Sequence, residues 1–572
     1  MSRTPLSAAT SLVAAALVLS ACSPTPPETS TDIATAADSS PHAFSADINV
    51  ADFAERVKTL ASDEFEGRAP GSIGESRTLA YLKGQFEAMG LQPGHDGSWF
   101  QTVPMVETTA DEAQTTLTLD VKGESRALAF GDDMVIGTRS GQPEVKIDAS
   151  DLVFVGYGVN APERDWNDYE GIDVTGKTVV MFVNDPGFHA NDESLFDGKR
   201  MTYYGRWTYK YEEAARQGAA AAIIIHDDAG ASYGWGVVKN SWSGAQFDLK
   251  AEDDPEPRLA AQGWITGDVA RSLLADLDHD LDALYTAANK PGFRPIPLDA
   301  RMSLELKSTI AEKESKNVVA MLPGSSRPDE AVVYMAHWDH LGNHADSATG
   351  GEDHIYNGAV DNATGVAGIM EIAEAFAAQE PAPERSLLFI AVTLEESGLL
   401  GSKYYVAHPS IPLANTVGVI NLDAMPVIGP SRDMSVVGLG NSELEDILKT
   451  HADAQGRVLV PEGAVEAGYY FRSDHFNFAK AGVPALYAKG GDDLVDGGVE
   501  AGQAAQRDYR DNRYHKPADE FSADWNMDGV MQDLEALYGV GRDLAGSDRW
   551  PRWYEGNAFR AAQDKLIEVR SR

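Results

Sequence analysis

The sequence predicts an α/β protein whose main sheet is mixed but mostly parallel, with helices on both of its faces. The first reason is that short apolar runs typical of strands alternate with helical spacing in the second half of the chain. The second reason is a globular composition, because 43% of the 572 residues are hydrophobic and 24% are charged. Such a length allows about two to four domains, each with its own core.

The charge and the cysteine count limit the kinds of function. The chain has 88 Asp and Glu residues against 47 Lys and Arg residues, a formal net charge of -41. We expect no nucleic-acid partner, because binding to a phosphate backbone depends on Lys and Arg. The single cysteine, Cys22, excludes an internal disulfide and a thiolate-rich metal site. Any metal must therefore be held by histidines and carboxylates.

The N-terminus is predicted to be an export signal. A positive charge at Arg3 precedes the short apolar run Ser11–Leu19, which is too short to span a membrane. The Leu-Ser-Ala-Cys sequence that ends it resembles the bacterial lipoprotein processing site. Residues 1–21 are thus expected to be a signal peptide, and residues 22–47 a flexible tether. The chain would be exported and held in the bacterial cell envelope by lipid on Cys22, facing the periplasm or on the outer membrane.

The folded part is predicted to contain a main domain and a second α/β unit inserted into it. Residues 48–134 form the first part of the main domain, residues 135–300 the inserted unit, and residues 301–572 the remainder. The patterns that support the elements before residue 300 are helical spacing in Val50–Ala61, Glu75–Met89 and Trp207–Gly218, and strand-like runs in Leu152–Val155, Thr178–Val183 and Ala219–Ile225.

The last part of the chain gives the clearest alternation of strands and helices. The predicted strands are Val332–Met335, Leu387–Val392, Thr416–Asn421 and Pro484–Ala488, and the clearest helices are Gly365–Ala378 and Met527–Leu544. We expect the four strands to lie in one mostly parallel sheet.

Charged side chains follow three of these strands. His337 comes after the first, Glu395 and Glu396 after the second, and Asp423 after the third. The carboxyl ends of parallel strands lie along one edge of a sheet, where ligand sites form. A single acidic residue after a strand is usually a turn or a helix cap, but three such endings favour a shared site.

Two further residues complete a possible metal centre. Asp361 lies just before a predicted helix, where an N-terminal cap is the simpler interpretation, and His515 lies in a late loop. Imidazoles and carboxylates without a thiolate suit a catalytic zinc centre. Asp361 could offer one oxygen to each of two metal ions.

The motifs then resemble those of the M28 family of zinc metallopeptidases. They span about 332–520 in the order of that family: His337-x-Asp339, Asp361-Asn362-x-Thr364-Gly365, Glu395-Glu396-x-Gly398, Asn421-Leu422-Asp423, and Tyr514-His515 followed by Asp519. The resemblance implies a sheet of the zinc-exopeptidase type, with the main catalytic part in residues 301–572. It also implies two Zn²⁺ ions per chain.

The resemblance further assigns a role to each residue. His337 and Asp423 would hold one zinc ion, Glu396 and His515 the other, and Asp361 would bridge the two. Glu395 would be the general base. Asp339 would accept the other ring N–H of His337 and so fix its tautomer. The peptide bond between Asp361 and Asn362 would be cis, as it often is in this family.

The inserted unit resembles a protease-associated (PA) domain in the segments Asp168–Lys177 and Ala214–Ala219. Its role is either to guide substrate or simply to pack against the main domain. Other histidines receive weaker interpretations. His475 is expected to support the site through hydrogen bonds, whereas His340, His344 and His354 are expected to be solvated loop residues.

The sequence therefore predicts a dizinc exopeptidase, and in particular an aminopeptidase. The first alternative is a carboxypeptidase or dipeptidase of the same fold, in which Arg472 or Lys489 would bind a substrate carboxylate. The others are a glutaminyl cyclase-like enzyme with one zinc ion and a binding protein on an inactive scaffold. The expected partners are peptide substrates, with membrane contact only through the lipid on Cys22. The oligomeric partner is left open.

Overall fold

The computed structural model describes residues 44–254, 256–344 and 353–571. The predicted signal peptide, the lipid site at Cys22 and most of the tether lie outside these residues, so the predictions made for them stay predictions. Within the described ranges, no helix combines the length and the apolar character that crossing a bilayer requires.

The main sheet is built around four parallel strands. We number five of its strands: β1 (Ile296–Leu322), β2 (Arg327–His337), β3 (Arg385–Val392), β4 (Thr416–Asn421) and β5 (Ala485–Gly490). Their order is β1-β3-β2-β4-β5, and only the β1–β3 pairing in this series is antiparallel. The remaining strands of this part are Gln92–Pro93, Phe100–Ala110, Ala245–Leu249, Asp433–Val436 and Val458–Pro461. This arrangement confirms the predicted mostly parallel α/β fold.

Both faces of the main sheet are buried, as its continuous apolar strands predict. Side chains of β2 alternate between two cores: Val332 and Tyr334 point into one, and Val333 and Met335 into the other. Helices cover both sides, and the predicted helices before and after the site strands lie within one residue of their observed ends. The α-helices of this part are Val50–Leu60, Ile73–Ala88, Thr364–Ala377, Leu400–Ala407, Leu444–Ala454, His475–Lys480, Gly498–Asn512, Asp528–Ala545 and Arg560–Arg570.

The inserted unit has its own sheet and its own core. Its strands are Thr116–Val121, Glu124–Leu128, Met134–Gly137, Glu144–Phe154, Thr178–Phe182, Ala221–Ile225 and Ala261–Ile265, and the first half of β1 completes the sheet. Its α-helices are Trp207–Arg216, Asp228–Ala231, Trp235–Trp242, Gly267–Asp276 and Leu281–Ala288. Two short pairs of strands lie outside both sheets, namely Asn160–Ala161 with Trp166–Asn167 and Gly342–Asn343 with Ile355–Tyr356.

The observed boundaries of the inserted unit differ from the predicted 135–300. Two strands that precede residue 135 belong to its sheet, and Leu117 and Leu306 both lie in its core. The difference arises because β1 is one 27-residue strand that pairs with both sheets. A composition-based boundary cannot detect a strand that belongs to two sheets. From Phe44 onward the chain forms one compact unit.

Side-chain contacts also fix the inserted unit to the main domain. Lys403 pairs with Asp254 at 2.7 Å, and Lys480 pairs with Glu212 at 2.9 Å. The ring of Tyr203 lies 5.4 Å from the ring of Phe476 and 5.8 Å from that of Phe559. The inserted unit is therefore held over one part of the main domain, which proves to be the edge that carries the site.

We expect Phe389→Ala to destabilise the fold by about 3–5 kcal/mol, because it removes a buried ring from the centre of the main sheet. Phe389 is fully buried in β3 and stacks against Tyr334 with ring centres 5.5 Å apart. Denaturant unfolding followed by circular dichroism measures the change. Val458→Ala is the control: this side chain is 59% exposed, and the loss should stay within about 0.5 kcal/mol. Similar losses in both variants would contradict the assigned core.

Candidate metal centre

Three strands end side by side at one edge of the main sheet. His337, the last residue of β2, pairs with Val392, the last residue of β3. On the other side of β2, Met335 pairs with Asn421, the last residue of β4. The loops that follow these strands therefore begin at the same level, and they bring their polar side chains to one place, as the strand pattern predicts.

One group of side chains forms around His337. Its Nε2 atom lies 3.2 Å from Oδ1 of Asp361 and 3.5 Å from Oδ1 of Asp423. The three residues offer ligand atoms that all lie within 4.8 Å of one another. His337 and Asp361 are buried, whereas Asp423 is partly open.

A second group forms on the other oxygen of Asp361. Nε2 of His515 lies 3.2 Å from Oδ2 of Asp361 and 3.2 Å from Oε2 of Glu396. The two oxygens of Asp361 thus face different imidazoles. All five residues predicted as metal ligands come together, and Asp361 is the residue that the two groups share.

His340 is the residue that the sequence interpretation missed. It was expected to be a solvated loop histidine, but it is 1% exposed, and its Nδ1 atom lies 2.7 Å from Oε1 of Glu396. With Asp361 and Glu396 it forms a further set of ligand atoms within 4.8 Å. Its Nε2 atom is buried without a hydrogen-bond partner. The nearby sequence His337-x-Asp339-His340 was the available signal, since a polar run after a buried strand stays close to the sheet edge.

Asp519 fixes the backbone of the shared ligand. Its carboxylate accepts hydrogen bonds from the backbone N–H groups of Val360 at 3.0 Å and Asp361 at 3.1 Å. The hydroxyl of Tyr509 donates to the same carboxylate at 3.2 Å. The late motif therefore supplies a ligand, His515, and also the carboxylate that holds Asp361 in place.

Asn362 connects the Asp361 loop to the loop that carries Asp423. The peptide bond between Asp361 and Asn362 is cis, as the family resemblance implies. The Asn362 amide accepts from the N–H of Ala424 at 3.1 Å and donates to the carbonyl of Leu422 at 3.1 Å. Two ligands from separate loops are thus positioned by one side chain.

Arg68 supports the same region from the N-terminal part of the chain. Its buried guanidinium donates to the carbonyls of Leu60, Trp338, Asn357 and Gly358 over 2.6–2.9 Å. Burial lowers its pKa to about 10, against the raising effect of the nearby site carboxylates. It stays charged at neutral pH and adds a fixed positive charge beside an acidic site.

Asp339 differs from its predicted role. Nδ1 of His337 lies 3.0 Å from the backbone carbonyl of Asp339, while the Asp339 carboxylate is 3.9 Å away. The carbonyl therefore accepts the ring N–H and leaves Nε2 facing the carboxylates. The Asp339 side chain instead accepts from the backbone N–H of Glu395 at 3.2 Å. Burial raises the pKa of Asp339 to about 7.

Glu395 and Glu396 are adjacent, but their surroundings move their pKa values in opposite directions. Burial raises the pKa of Glu395 well above its ordinary value, and the charges of Glu396 and Asp423 add to this effect. Burial also acts on Glu396, yet His340 and His515, whose ring nitrogens lie 2.7 and 3.2 Å from its carboxylate oxygens, lower its pKa to about 2. Separated pKa values in a carboxyl pair indicate separate roles: Glu396 is ionised, as a metal ligand has to be, and Glu395 can carry a proton.

The donor set fits bound cations of the zinc type. Three carboxylates converge on two imidazole nitrogens, each of which faces two carboxylate oxygens. Nε2 of His515 makes no hydrogen bond of acceptable geometry despite these two close oxygens, an arrangement that suits a ligand atom aimed at an ion between them. Imidazole nitrogen and carboxylate oxygen are the donors of catalytic zinc sites. A cation would also offset the repulsion among the carboxylates.

The site opens into a cavity of about 1250 Å³. The five residues predicted as metal ligands line it, together with Glu395. Residues of the inserted unit line another part, among them Arg206, Trp207 and Tyr233. Both parts of the chain thus form the space in which a substrate would lie.

The fold and this site define an α/β domain with a candidate metal centre, and the comparison with protein families gives a match over the part of the chain that carries it. Residues 317–538 match the model of peptidase family M28. The matched range contains every residue of the two ligand groups.

Two curated relatives and one solved structure show how far the similarity extends. The chain is 33% identical to leupeptin-inactivating enzyme 1 of Streptomyces exfoliatus over 201 residues, or 34% of this chain and 41% of the relative. It is 37% identical to a probable zinc metalloprotease of Pyricularia oryzae over 194 residues, or 33% of each chain. The chain thus spans well under half the length of these relatives. An aminopeptidase from Aneurinibacillus sp. strain AM-1 aligns at 20% identity and a TM-score of 0.46, over 87% of this chain and 94% of that one.

We expect Asp361→Asn to lose at least half of the zinc that the unaltered protein retains after dialysis, because both ligand groups lose the carboxylate that they share. Elemental analysis of dialysed protein gives the zinc content per chain. Asp524→Asn is the matched control, since it removes an exposed carboxylate that belongs to neither ligand group. Equal zinc contents in the two variants would show that Asp361 is not a shared ligand.

Proposed function

We propose that this protein is a zinc-dependent metallo-exopeptidase that binds two zinc ions and removes N-terminal residues from peptides. The observation that carries the proposal is the shared carboxylate of Asp361, whose two oxygens face His337 and His515. A bridging carboxylate between two sets of ligands is what a two-metal hydrolytic site requires. We propose in addition that lipid on Cys22 holds the enzyme at the bacterial cell envelope.

In the proposed mechanism, His337 and Asp423 would hold one ion, Glu396 and His515 would hold the other, and Asp361 would serve both sets. The chemistry that zinc would supply there when bound is a lower pKa for water and a polarised carbonyl of the scissile peptide bond. Glu395 belongs to neither set of ligands but lines the same cavity. It accepts a proton from the attacking water and later donates one to the leaving amine. A carboxyl group whose pKa burial raises can hold that proton between the two steps.

The surrounding residues keep these groups in place. The carbonyl of Asp339 orients the ring of His337, and the Asp339 side chain holds the backbone of Glu395. One residue therefore links a ligand to the proposed base. The ring of Tyr514 stacks on His515 with centres 3.9 Å apart and lines the cavity, so it lies where a bound substrate would contact it.

The alternative activities differ in what they need. A carboxypeptidase or dipeptidase requires a cation for the substrate carboxylate. Lys489 does not suit this role, since its ammonium donates to the carbonyls of Asp423 and Ala424 and to the Tyr487 hydroxyl. Arg472 lines the cavity and keeps this alternative open. A cyclase with one zinc ion is less well supported, because the ligand atoms fall into two groups that share Asp361.

Digestion of a peptide library tests the proposed activity directly. We expect peptides to lose single residues from the N-terminus, and activity to disappear with a chelator and return with added zinc. Mass spectrometry of the products identifies which end is shortened. Loss of C-terminal residues would favour the carboxypeptidase alternative, cyclised N-terminal glutamine would favour the cyclase, and unchanged peptides would reject a peptidase.

We expect Glu395→Gln to lower kcat by about 10²–10⁴-fold, because the amide cannot accept and return the proton. The variant should keep its zinc, since Glu395 belongs to neither ligand group. Steady-state kinetics and zinc analysis on the same sample test both points. Glu555→Gln, at an exposed position, is the matched control and should retain full activity. A Glu395→Gln enzyme with normal kcat would refute the assignment of the base.

A further inference from the structure

A short segment of the main domain joins the inserted unit to two loops of the candidate metal centre. It covers residues 471–480, which include the helix His475–Lys480, and we call it the connecting segment. Its polar side chains are unusually well buried: Ser473, Asp474 and His475 are at most 2% exposed, and Asn477 is 9% exposed. Buried polar groups require hydrogen-bond partners, and the partners of this segment show which parts of the molecule it holds together.

One set of hydrogen bonds leads to the loop that carries the proposed base, Glu395. Nδ2 of Asn477 donates to the backbone carbonyl of Leu399 at 3.0 Å and to Oγ of Ser402 at 2.9 Å. The Ser402 hydroxyl in turn donates to the carboxylate of Asp474 at 2.6 Å. The backbone N–H of Leu399 donates to the carbonyl of Glu395 at 3.0 Å. The connecting segment is therefore two hydrogen bonds away from the backbone of the proposed base.

Another contact leads to the loop that carries Asp423. Nδ2 of Asn421 donates to Oγ of Ser473 at 2.8 Å and lies 3.4 Å from Nδ1 of His475. Asn421 is the last residue of β4 and stands two positions before Asp423. The connecting segment thus reaches two loops of the centre that come from different strands.

The other side of the connecting segment contacts the inserted unit. The Lys480 ammonium donates to Oε1 of Glu212 at 2.9 Å, and the Tyr203 hydroxyl donates to Oε2 of the same carboxylate at 2.9 Å. The ring of Tyr203 lies 5.4 Å from the ring of Phe476. Tyr203 also packs against the cores of both the inserted unit and the main domain. These contacts fix the inserted unit directly onto the connecting segment.

We propose that the connecting segment transmits the position of the inserted unit to the candidate metal centre. The path runs from Tyr203 and Glu212 through the segment to the loops of Glu395 and Asp423. Reacting groups have to be closely aligned, and a displacement of about 1 Å can lower a rate by about 10²-fold. The inserted unit therefore helps to set the rate of the centre, an inference that rests on the proposed peptidase function.

In this arrangement Asn477 is a positioning residue, because it acts through the backbone of Leu399. The same holds for Glu212, which acts from the inserted unit through Lys480. A change in the inserted unit that loosens these contacts alters the geometry of the centre while every metal-ligand residue stays the same.

Hydrogen exchange tests the proposal without zinc and without activity. The variants Glu212→Gln and Tyr203→Leu/Glu212→Gln loosen the contact from the inserted unit and leave the main domain unaltered. We expect the double variant to raise amide exchange in residues 394–403 and 421–425 at least about threefold, because local opening becomes easier. Mass spectrometry of peptic fragments measures the rates, and exchange in the helix Asp528–Ala545 should stay unchanged.

Glu170→Gln is the matched control for these variants. It also removes one ion pair of the inserted unit, the pair of Glu170 with Arg294, and exchange in both loops should stay as in the unaltered protein. Unchanged exchange in the loops of the double variant would overturn the proposal. An equal rise in the helix Asp528–Ala545 would also overturn it, since the contacts would then support the fold in general.

Steady-state kinetics separates positioning from substrate binding. With zinc-loaded enzyme and Leu-Leu-amide, we expect the double variant to lower kcat about three- to tenfold while KM stays within about twofold. Glu212→Gln alone should give a smaller loss and guards against misfolding of the double variant. A raised KM at constant kcat would make Glu212 a substrate contact, and this result or a normal kcat would overturn the proposal.

A double-mutant cycle tests the route through the connecting segment. Asn477→Leu removes the donor to the carbonyl of Leu399 and should lower kcat by itself. Added to Tyr203→Leu/Glu212→Gln, it should lower kcat no more than about twofold beyond the larger separate effect, because residues on one path are not additive. Effects that multiply fully would contradict the route. If no peptide is cleaved but loop exchange responds to the variants, the proposed function fails and the connection stands.

Discussion

The central constraint on this structure is the convergence of carboxylates at one buried point. Four carboxyl groups that carry or can carry a negative charge lie close to two imidazoles, namely those of Asp361, Glu395, Glu396 and Asp423. Such charges repel one another strongly where water is scarce. Zinc ions of the proposed centre would supply most of the compensation. The protein adds its own share through Arg68, a buried cation that also ties together the carbonyls of neighbouring loops.

Holding these groups in place requires contributions from distant parts of the chain. The strand ends at the edge of the main sheet position His337 and Asp423. Asp361 lies in a loop, so other contacts have to hold it in place. Asp519, more than 150 residues later, accepts the backbone N–H groups of that loop. The geometry of the centre is thus a property of the whole domain, and a local motif alone would not create it.

Much of the fold and of the candidate site could be predicted from the sequence, and the physical reason differs from residue to residue. His337, Glu396 and Asp423 follow apolar strands, and strand order in a parallel sheet then brings them together, so the strand pattern located them and the family resemblance assigned their roles. His340 and Arg68 could not be assigned in this way, because a loop residue becomes buried only when another segment covers it. The hydrogen bond of His337 to the carbonyl of Asp339, in place of its carboxylate, depends on a local loop conformation. The boundary of the inserted unit was misplaced because β1 belongs to both sheets.

Deletion of the inserted unit would leave an unpaired edge on β1. Residues of β1 before 308 pair with Thr116–Val121 and with Glu144–Phe154, and a deletion that removes both partners leaves a row of free backbone N–H and C=O groups. Such an edge is a template for aggregation. A truncated catalytic fragment is therefore expected to be insoluble for reasons unrelated to its chemistry. The candidate metal centre and the inserted unit belong to one compact unit. A sequence change in either of them therefore has to remain compatible with the other.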